Sequence, residues 1–258
     1  MRVAIIGGTG VYRAAGVEDL RPLTVPTPYG PVALSAGRRG DREVLFLARH
    51  GEGHSVPPHR VNYRANVHAL WQLGVDAVLA TSSVGSVVPE WRAGTLLLLT
   101  GFLDFTRNRP HTFFDGEGGQ VVHTDMTEPY CPRLRDQLAA AARARGVAVV
   151  PKGTYVGVEG PRFESPQEIR MFAALGGDVV GMTGVPEVTL CREAGLCYQS
   201  VGLVTNLGAG LSPTPISHEE VVRTMGESVE RVTGLLLATI DGLEAAPCPH
   251  CRRRETLP

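Results

Sequence analysis

The sequence predicts an α/β fold: a single domain with a central mixed β-sheet flanked by helices. Short runs rich in β-branched residues alternate along the chain with segments of helical periodicity, which is the pattern of layered α/β proteins. Several of the β runs are apolar without interruption, which indicates strands covered on both faces. The 258 residues contain neither an internal repeat nor a Gly/Ser-rich linker. We therefore predict one domain over residues 1–243, followed by a disordered tail at residues 244–258.

The elements can be assigned from local patterns. Predicted strands cover residues 3–6, 44–48, 77–81, 95–103, 147–150, 155–158, 179–182 and 198–205. Helices are predicted at residues 62–73 and 133–145, each ending before a glycine. Ser165 and Glu168 form a capping box that opens a third helix, and residues 217–220 form another that opens the last one. The last helix carries one predicted buried stripe, formed by residues 221, 222, 225, 229, 232, 236 and 240.

Composition limits the partners of this protein. A formal charge of -1, from 25 basic and 26 acidic residues, provides no field that would attract DNA, RNA or an anionic membrane. We therefore expect no nucleic-acid or membrane partner. The longest apolar stretch, residues 96–103, is far shorter than the roughly 20 residues of a membrane helix, and the N-terminus lacks the features of a secretory signal. A cytoplasmic protein is expected, in which Lys152 is the only lysine.

The cysteines indicate no disulfide framework. Cys131, Cys191 and Cys197 are scattered in apolar or turn contexts, where free thiols behave as small buried apolar groups. Cys248 and Cys251 form a Cys-Pro-His-Cys sequence, which is half of a zinc-knuckle pattern with no evident second pair. We therefore predict no metal site.

A glycine-rich turn follows the first predicted strand, at residues 7–10. Glycines let backbone N–H groups approach an anion, so this turn could bind phosphate, open a dinucleotide-binding fold or be only a tight turn. A helix cannot run through the next segment, because residues 19–29 contain Pro22, Pro26 and Pro28. That departure disfavours the dinucleotide-binding interpretation, and all three interpretations stay open at this point.

Two further strand ends carry groups suited to an anion. Arg49 and His50 follow the second predicted strand, where they could hold phosphate through a bidentate guanidinium and a neighbouring donor. The alternative is a surface arginine beside a core histidine. Residues 81–86 supply hydroxyls and turn N–H groups after the third predicted strand, although turns rich in hydroxyls also occur for structural reasons alone.

A resemblance to a known family rests on motifs that occur in order over about residues 2–240. Glu-Gly-Pro-Arg-Phe-Glu at residues 159–164, Gly-Met-Thr-Gly-Val-Pro-Glu-Val at residues 181–188 and Thr-Asn at residues 205–206 are its most specific parts. Together with residues 7–10 and 48–51, they resemble the purine nucleoside phosphorylase and methylthioadenosine phosphorylase family, and most closely its bacterial 6-oxopurine branch. The resemblance implies phosphate-dependent cleavage of a purine nucleoside in purine salvage. It also implies a homotrimer or a dimer of trimers, and no cofactor or metal.

The resemblance also implies roles for individual residues. The phosphate site is expected to contain Thr9, Arg49, His50, Ser82, Ser83 and Thr183. Of these, Arg49 should contribute most, because hydrogen bonds to a charged partner contribute about 1.5 to 3 kcal/mol each. Met182 is expected under the ribose and Phe163 against the base.

Glu164 and Asn206 are the residues that we expect to act on the base. An ionised Glu164 only accepts hydrogen bonds, so it matches the N1–H of a 6-oxopurine and opposes the N1 lone pair of adenine. Asn206 can donate to O6 or N7 of the leaving base and can also accept from a protonated N7. Methylthioadenosine-specific relatives carry serine and aspartate at these two positions, and this sequence departs from them at both.

Two histidines complete the expected site. His218 lies in a His-Glu-Glu-Val pattern that contacts a 5′-hydroxyl in relatives, although Ile216 or Val222 could instead form an apolar pocket there. His123 matches a residue that relatives lend to a neighbouring subunit's site. The expected function is a 6-oxopurine nucleoside phosphorylase acting on inosine or guanosine. The alternatives are an S-methyl-5′-thioinosine or S-methyl-5′-thioadenosine phosphorylase and, in another class, a non-catalytic purine-binding or dinucleotide-binding protein.

Overall fold

A computed structural model describes residues 1–7, 16–51, 53, 55–117, 119–212, 217–244, 246, 248–251, 254 and 256–258. At His218 and Glu220 it describes the helix backbone alone. The predicted fold class is confirmed, because the described residues form an α/β domain around one mixed sheet. None of the described helices has the length and apolar character that crossing a membrane would require.

The sheet contains nine strands in the described residues. They are β1 (Arg2–Gly7), β2 (Glu18–Val25), β3 (Val32–Arg39), β4 (Arg42–Ala48), β5 (Ala77–Ser86), β6 (Leu96–Phe105), β7 (Val150–Val158), β8 (Val179–Gly181) and β9 (Cys197–Leu207). Their order is β2-β3-β4-β1-β5-β8-β7-β6-β9, and β9 pairs again with β5. Five strands therefore close into a ring, with the other four extending from it as an open sheet. Strands β1, β4, β5 and β9 are parallel to one another, so their carboxyl ends lie at one edge.

Helices cover both faces of the sheet. They are α1 (Tyr63–Gln72), α2 (Pro132–Ala144), α3 (Pro166–Ala174), α4 (Gly184–Glu193) and α5 (His218–Gly242). Helices α1 and α4 contribute to one apolar core, and α2 and α5 contribute to a second. Ile169 and Phe172 of α3 pack with residues of β7 and β8 in a third, smaller cluster. Burying each such large apolar side chain contributes about 1.5 to 3 kcal/mol, so the core fixes the sheet edge at which the loops converge.

Side chains cap the starts of two helices, one of them by a predicted capping box. The Asn62 side chain accepts a hydrogen bond from the Ala65 N–H at 3.1 Å and caps α1. The predicted capping box of α3 is confirmed: Ser165 Oγ accepts from the Glu168 N–H, and Glu168 Oε2 accepts from the Ser165 N–H at 2.7 Å. This box fixes the backbone directly after Glu164.

The structure contains three elements that the sequence patterns do not predict, namely β2, β3 and α4. It also replaces the two strands predicted at residues 147–150 and 155–158 with a single strand, β7. The predicted apolar stripe of α5 is wrong at Val222, which is 47% exposed, whereas Leu235 and Leu237 are buried. Val222 is exposed because it lies beside a cavity rather than against the core.

Residues 244–258 are predicted to be a disordered tail, and those of them that the structure describes contact the domain. Cys248 is buried, and the Arg254 N–H donates to the Ala194 carbonyl at 3.1 Å. The Trp71 indole N–H donates to the Arg254 carbonyl at 2.9 Å. Tyr29 Oη donates to the carbonyl of Pro258 at 3.0 Å. The tail is held because its backbone groups find partners on the domain surface, which composition alone does not show.

Candidate active site

A cavity of about 460 Å³ lies where the carboxyl ends of β4, β5 and β9 converge. Open α/β sheets bind ligands at this edge, and a cavity of this size suits a nucleoside-sized molecule. Loops after β4, β7 and β8 and the start of α5 form the remaining walls. Eight predicted site residues line it: Arg49, His50, Ser83, Phe163, Glu164, Met182, Thr183 and Asn206.

Four further predicted site residues are not among the described residues that line this cavity. Thr9 lies outside the described residues, and the side chain of His218 is likewise not described. His123 is exposed in the single chain, away from the cavity lining. The prediction for the Ser82 side chain needs correction, as the geometry of β5 shows.

Residues 81–83 of β5 alternate between the cavity and the interior. Thr81 and Ser83 line the cavity, whereas Ser82 Oγ lies 3.4 Å from Ser200 Oγ inside the protein. A strand has a period of two residues, so adjacent serines cannot both present their hydroxyls to one ligand. Thr81 therefore lines the cavity, whereas the Ser82 side chain faces the interior. Ser83 Oγ lies 2.9 Å from Met225 Sδ of α5.

Arg49 is buried in a network at the end of β4. Its Nε and Nη2 donate to the two carboxylate oxygens of Glu187 at 2.7 and 2.8 Å, and its Nη1 donates to the Thr81 carbonyl at 2.9 Å. Tyr198 Oη also donates to Glu187, at 2.8 Å. A guanidinium has five N–H groups, so these contacts among the described residues use three and leave two. The bidentate face expected to hold phosphate is therefore the face that holds Glu187.

The ion pair determines the charge of Arg49. Burial alone would lower the pKa of its guanidinium, but the adjacent Glu187 carboxylate outweighs burial and raises that pKa. Arg49 is therefore positively charged although its side chain is buried. The Glu187 carboxylate neutralises much of that charge. The strength of anion binding in the cavity therefore depends on the direction of individual donors as well as on net charge.

His50 is oriented by the loop that follows it. Its Nδ1 lies 2.8 Å from the Val56 carbonyl oxygen. Because a carbonyl only accepts, Nδ1 carries the proton in this arrangement, and Nε2 can donate to an anion only when the imidazole is protonated.

Thr183 is held in place through its backbone. Its N–H and that of Gly184 both donate to Tyr155 Oη at 3.0 Å. Burial raises the pKa of Tyr155, so this hydroxyl is neutral. A buried phenol thereby fixes the turn between β8 and α4 and presents the Thr183 side chain to the cavity.

Asn206 stands at the end of β9, next to a break in the register with β5. Its Oδ1 lies 2.9 Å from Thr205 Oγ1, and its Nδ2 donates to the Leu207 carbonyl at 2.9 Å. These contacts orient the amide and leave one N–H and one lone pair for a ligand. Gly85 makes room for it, because a Cβ there would lie only 3.2 Å from Asn206 Nδ2.

Glu164 and Phe163 lie on the loop between β7 and α3. This loop comes close to Met182, because Gly160 has a φ of +66° and a Cβ there would lie 2.5 Å from Met182 Sδ. Burial raises the pKa of the Glu164 carboxyl above its ordinary value, and Glu168 raises it further. A backbone hydrogen bond and the charge of Arg162 offset only part of this rise in pKa, and Arg162 donates its hydrogen bond to Glu168, at 2.7 Å.

The start of α5 supplies an apolar wall. Val221, Val222 and Met225 line the cavity, which they reach from one side of the helix. This wall presents hydrocarbon and a thioether to whatever part of a ligand lies against it.

A family model described as the Phosphorylase superfamily matches residues 2–241. The chain belongs to this superfamily. The resemblance inferred from the motifs is therefore confirmed over nearly the whole chain.

Several relatives with named activities are similar to this chain over most of its length. It is 52% identical over 244 residues to the 6-oxopurine nucleoside phosphorylase of Pyrococcus furiosus, covering 93% of this chain and 92% of the relative. It is 47% identical over 250 residues to a Methanopyrus kandleri protein named probable S-methyl-5′-thioinosine phosphorylase, covering 95% of each. A solved structure of methylthioadenosine phosphorylase from Schistosoma mansoni with adenine matches with a TM-score of 0.85 and 35% identity, covering 93% of this chain and 91% of that one.

Two buried residues that shape this phosphorylase-superfamily site escaped the sequence analysis. Glu187 lies within the quoted 181–188 motif, where a carboxylate among apolar residues signals a buried partner. Arg109 donates to the carbonyls of Met182, Val185 and Glu159 at 2.8, 2.7 and 2.7 Å. It ties the β7–α3 loop to the β8–α4 turn. Its sequence surroundings give no signal of this role.

Proposed function

We propose that this protein is a 6-oxopurine nucleoside phosphorylase, which converts inosine or guanosine and phosphate to the free base and ribose 1-phosphate. The observation that carries the proposal is that Glu164 and Asn206 line the same cavity as Arg49 and Thr183. Groups suited to a 6-oxopurine and groups suited to an anion thus lie within reach of one nucleoside. The Pyrococcus furiosus relative, named for this activity, supports it.

At the phosphate end, the reaction needs donors that hold the anion beneath C1′ of the ribose. Arg49 retains two N–H groups, and Thr81, Ser83 and Thr183 line the cavity with it. As the glycosidic bond lengthens, the ribose gains positive charge, which the adjacent phosphate stabilises. Phosphate is a co-substrate in this scheme, and we propose that no cofactor or metal takes part in the reaction.

At the base end, negative charge develops on the leaving purine. The unengaged N–H of Asn206 can donate to O6 or N7, while an ionised Glu164 accepts from N1–H. Adenine would place its N1 lone pair against the carboxylate. An unpaired buried polar group of this kind costs about 1 to 3 kcal/mol, which favours 6-oxopurines by roughly 5-fold to 150-fold.

The apolar wall of α5 favours a second candidate, an S-methyl-5′-thioinosine phosphorylase. Val221, Val222 and Met225 would suit a thioether better than a hydroxyl, if the 5′ group lies against α5 as the resemblance implies. The named activity of the Methanopyrus kandleri relative supports it. Both candidate substrates contain a 6-oxopurine base, so the contacts of Glu164 do not distinguish them. The preferred 5′ substituent distinguishes the two functions.

We further infer a homotrimer or a dimer of trimers, located in the cytoplasm. The exposed position of His123 in the single chain is compatible with its expected use in a neighbouring subunit's site. Sedimentation tests this: a trimer or hexamer is expected, and a fully active monomer would refute the shared site.

A single substrate panel tests the function. Phosphorolysis of inosine, guanosine, adenosine, methylthioinosine and methylthioadenosine is measured with and without phosphate. We expect turnover that requires phosphate and is fastest with inosine or guanosine. Fastest turnover of methylthioinosine would establish the second candidate instead, and preference for the 6-aminopurines would refute both. Absence of any phosphate-dependent turnover would leave a binding protein.

The His218→Val variant refines the same panel. If His218 contacts the 5′-hydroxyl, this change lowers turnover of inosine relative to methylthioinosine. An unchanged ratio would remove His218 from the 5′ end of the site.

A further inference from the structure

Four of the five cysteines meet in one cluster at the opposite end of β9 from Asn206. Cys131 is the N-cap residue of α2, Cys197 is the first residue of β9, and Cys248 and Cys251 come from the tail. Their four sulfur atoms all lie within 4.8 Å of one another. Cys131 and Cys197 thus form a second pair beside Cys248 and Cys251. They are free and buried, as predicted, but they are not scattered.

The sulfur spacing fits tetrahedral coordination of a metal. Zn–S bonds of about 2.3 Å in a tetrahedron place the sulfurs about 3.8 Å apart, whereas a disulfide holds them about 2.05 Å apart. The Sγ atoms of Cys131 and Cys248 are separated by 3.6 Å. None of these cysteines is in a disulfide. Four sulfurs grouped at this spacing form a closed ligand set.

The surroundings suit thiolates. Cys131, Cys197 and Cys248 are buried, and Cys251 is only partly exposed. The start of α2 provides a favourable dipole at Cys131, which stabilises a thiolate. Arg133 Nη2 donates to Cys197 Sγ at 3.6 Å, so a positive charge borders the cluster. Arg133 Nη1 also donates to the carbonyls of Glu244 and Ala246. These hydrogen bonds hold the start of the tail near the cysteine cluster.

We propose that Cys131, Cys197, Cys248 and Cys251 bind one Zn²⁺ in a structural site that anchors the C-terminal tail. Each cysteine loses its proton on binding and contributes one thiolate. Four protein ligands leave no open position for water, so the ion has no catalytic part. The distance from the cavity agrees with a structural role. Cys197 and Asn206 lie nine residues apart on one strand, or about 30 Å at about 3.3 Å per residue. The ion joins the tail to α2 and β9.

The metal content of the purified protein tests the proposal directly. Protein prepared in reducing buffer is expected to contain about one zinc per chain by elemental analysis. Cys251→Ser and Cys248→Ser should each lose it. Cys191→Ala is the matched control, because Cys191 is buried but lies outside the cluster, and it should retain zinc. Retention of zinc by both serine variants, or iron in place of zinc, would overturn the assignment.

Thermal unfolding provides a second readout. Removing the metal from the wild-type protein with a chelator should lower the Tm by more than about 5 °C, and added Zn²⁺ should restore it. The chelator should not change the Tm of Cys251→Ser. A wild-type Tm that is insensitive to the chelator, in protein shown to have lost its metal, would overturn the anchoring role.

A third measurement does not depend on the variants folding. Metal-free wild-type protein is titrated with Co²⁺, which should give thiolate-to-cobalt absorption bands that saturate at one ion per chain. Mass spectrometry of the unreduced, unfolded protein checks the competing chemistry, since each disulfide removes two hydrogens. Protein that binds no Co²⁺ and carries disulfides among these cysteines would refute the zinc site.

Discussion

The guanidinium of Arg49 and the carboxylate of Glu187 form a bidentate pair, with N–O distances of 2.7 and 2.8 Å and both side chains only 1% exposed. The pair fixes the plane of the guanidinium before any ligand arrives. An anion in the cavity then meets donors that are already oriented, which reduces the reorganisation that binding requires. Because Nε and Nη2 donate to Glu187, Arg49 cannot bind phosphate in a bidentate manner through these two nitrogens.

Glu187→Ala should destabilise the protein strongly, because it leaves Arg49 charged and buried without a counterion. Breaking one side of a buried ion pair costs about 3 to 5 kcal/mol in the free energy of unfolding. Glu43→Ala is the matched control. It breaks the exposed pair with Arg2, in which the side chains are 36% and 34% exposed, and should cost at most about 1 kcal/mol. Urea unfolding measures both, and equal losses would show that the buried pair has no special weight.

Arg49→Lys should weaken phosphate binding in particular. An ammonium cannot contact Glu187 and Thr81 together and still present two fixed donors to an anion. The loss of one charged hydrogen bond, about 1.5 to 3 kcal/mol, predicts a KM for phosphate about 10-fold to 150-fold higher. Arg92→Lys, at an exposed position, should leave it unchanged. A larger effect on the KM of inosine than on that of phosphate would place Arg49 elsewhere in the reaction.

The double variant Asn206→Asp with Glu164→Ser should shift selectivity towards 6-aminopurines. Serine can donate to the adenine N1, and an aspartate can accept from the 6-amino group or from a protonated N7. The ratio of kcat/KM for adenosine to that for inosine should rise by at least about 10-fold, since two unfavourable polar contacts are removed. If the double variant kept the original ratio, hydrogen bonding at these positions would not set base selectivity.

The preference for inosine over adenosine should depend on pH through Glu164. Burial raises the pKa of this carboxyl, so the protonated form persists above its ordinary value of 4.5. Only the ionised form is purely an acceptor, so the preference should rise as pH increases through the raised pKa and then level off. The ratio of kcat/KM values at each pH measures it, and Glu164→Gln should make that ratio flat. A pH-dependent ratio in Glu164→Gln would exclude this carboxyl as the cause.

Glu164 should also make the free energy of unfolding depend on pH. This contribution should fall as pH rises, whereas the preference for inosine should rise. A carboxyl with a raised folded-state pKa favours the folded protein below its unfolded pKa and loses that contribution as pH rises through the folded value. Glu164→Gln should therefore raise the Tm at neutral pH and change it little in acid. Thermal unfolding of both proteins at the two pH values measures this.

The parts of the fold that sequence patterns predicted are those in which one physical signal dominates. Strands β1, β4, β5 and β9 are apolar runs, and α3 has a complete capping box. The edge strand β2 was missed because Pro22 argues against a strand, although an edge position tolerates it. Helix α4 was missed because it is buried nearly all round, so no amphipathic period marks it.

Prediction of the site was limited because many of its contacts join residues that are far apart in the sequence. The motifs identified most cavity residues, yet they could not show that Thr81 and Ser83 line the cavity while Ser82 faces the interior. Glu187 and Arg49 are far apart in the chain, so their pairing was invisible. The same holds for Cys131 and Cys197, which meet the tail cysteines only in the folded chain.

Arg109 has a consequence for the passage of ligands. One guanidinium holds carbonyls of both the β7–α3 loop and the β8–α4 turn, so these two walls of the cavity move as one body. A substrate cannot enter by parting them without breaking several charged hydrogen bonds at once. Exposed lining residues occur both on α5, where Val222 is 47% exposed, and on the β7–α3 loop, where Phe163 is 37% exposed. We therefore expect nucleoside and base to exchange while Arg109 keeps these two walls joined.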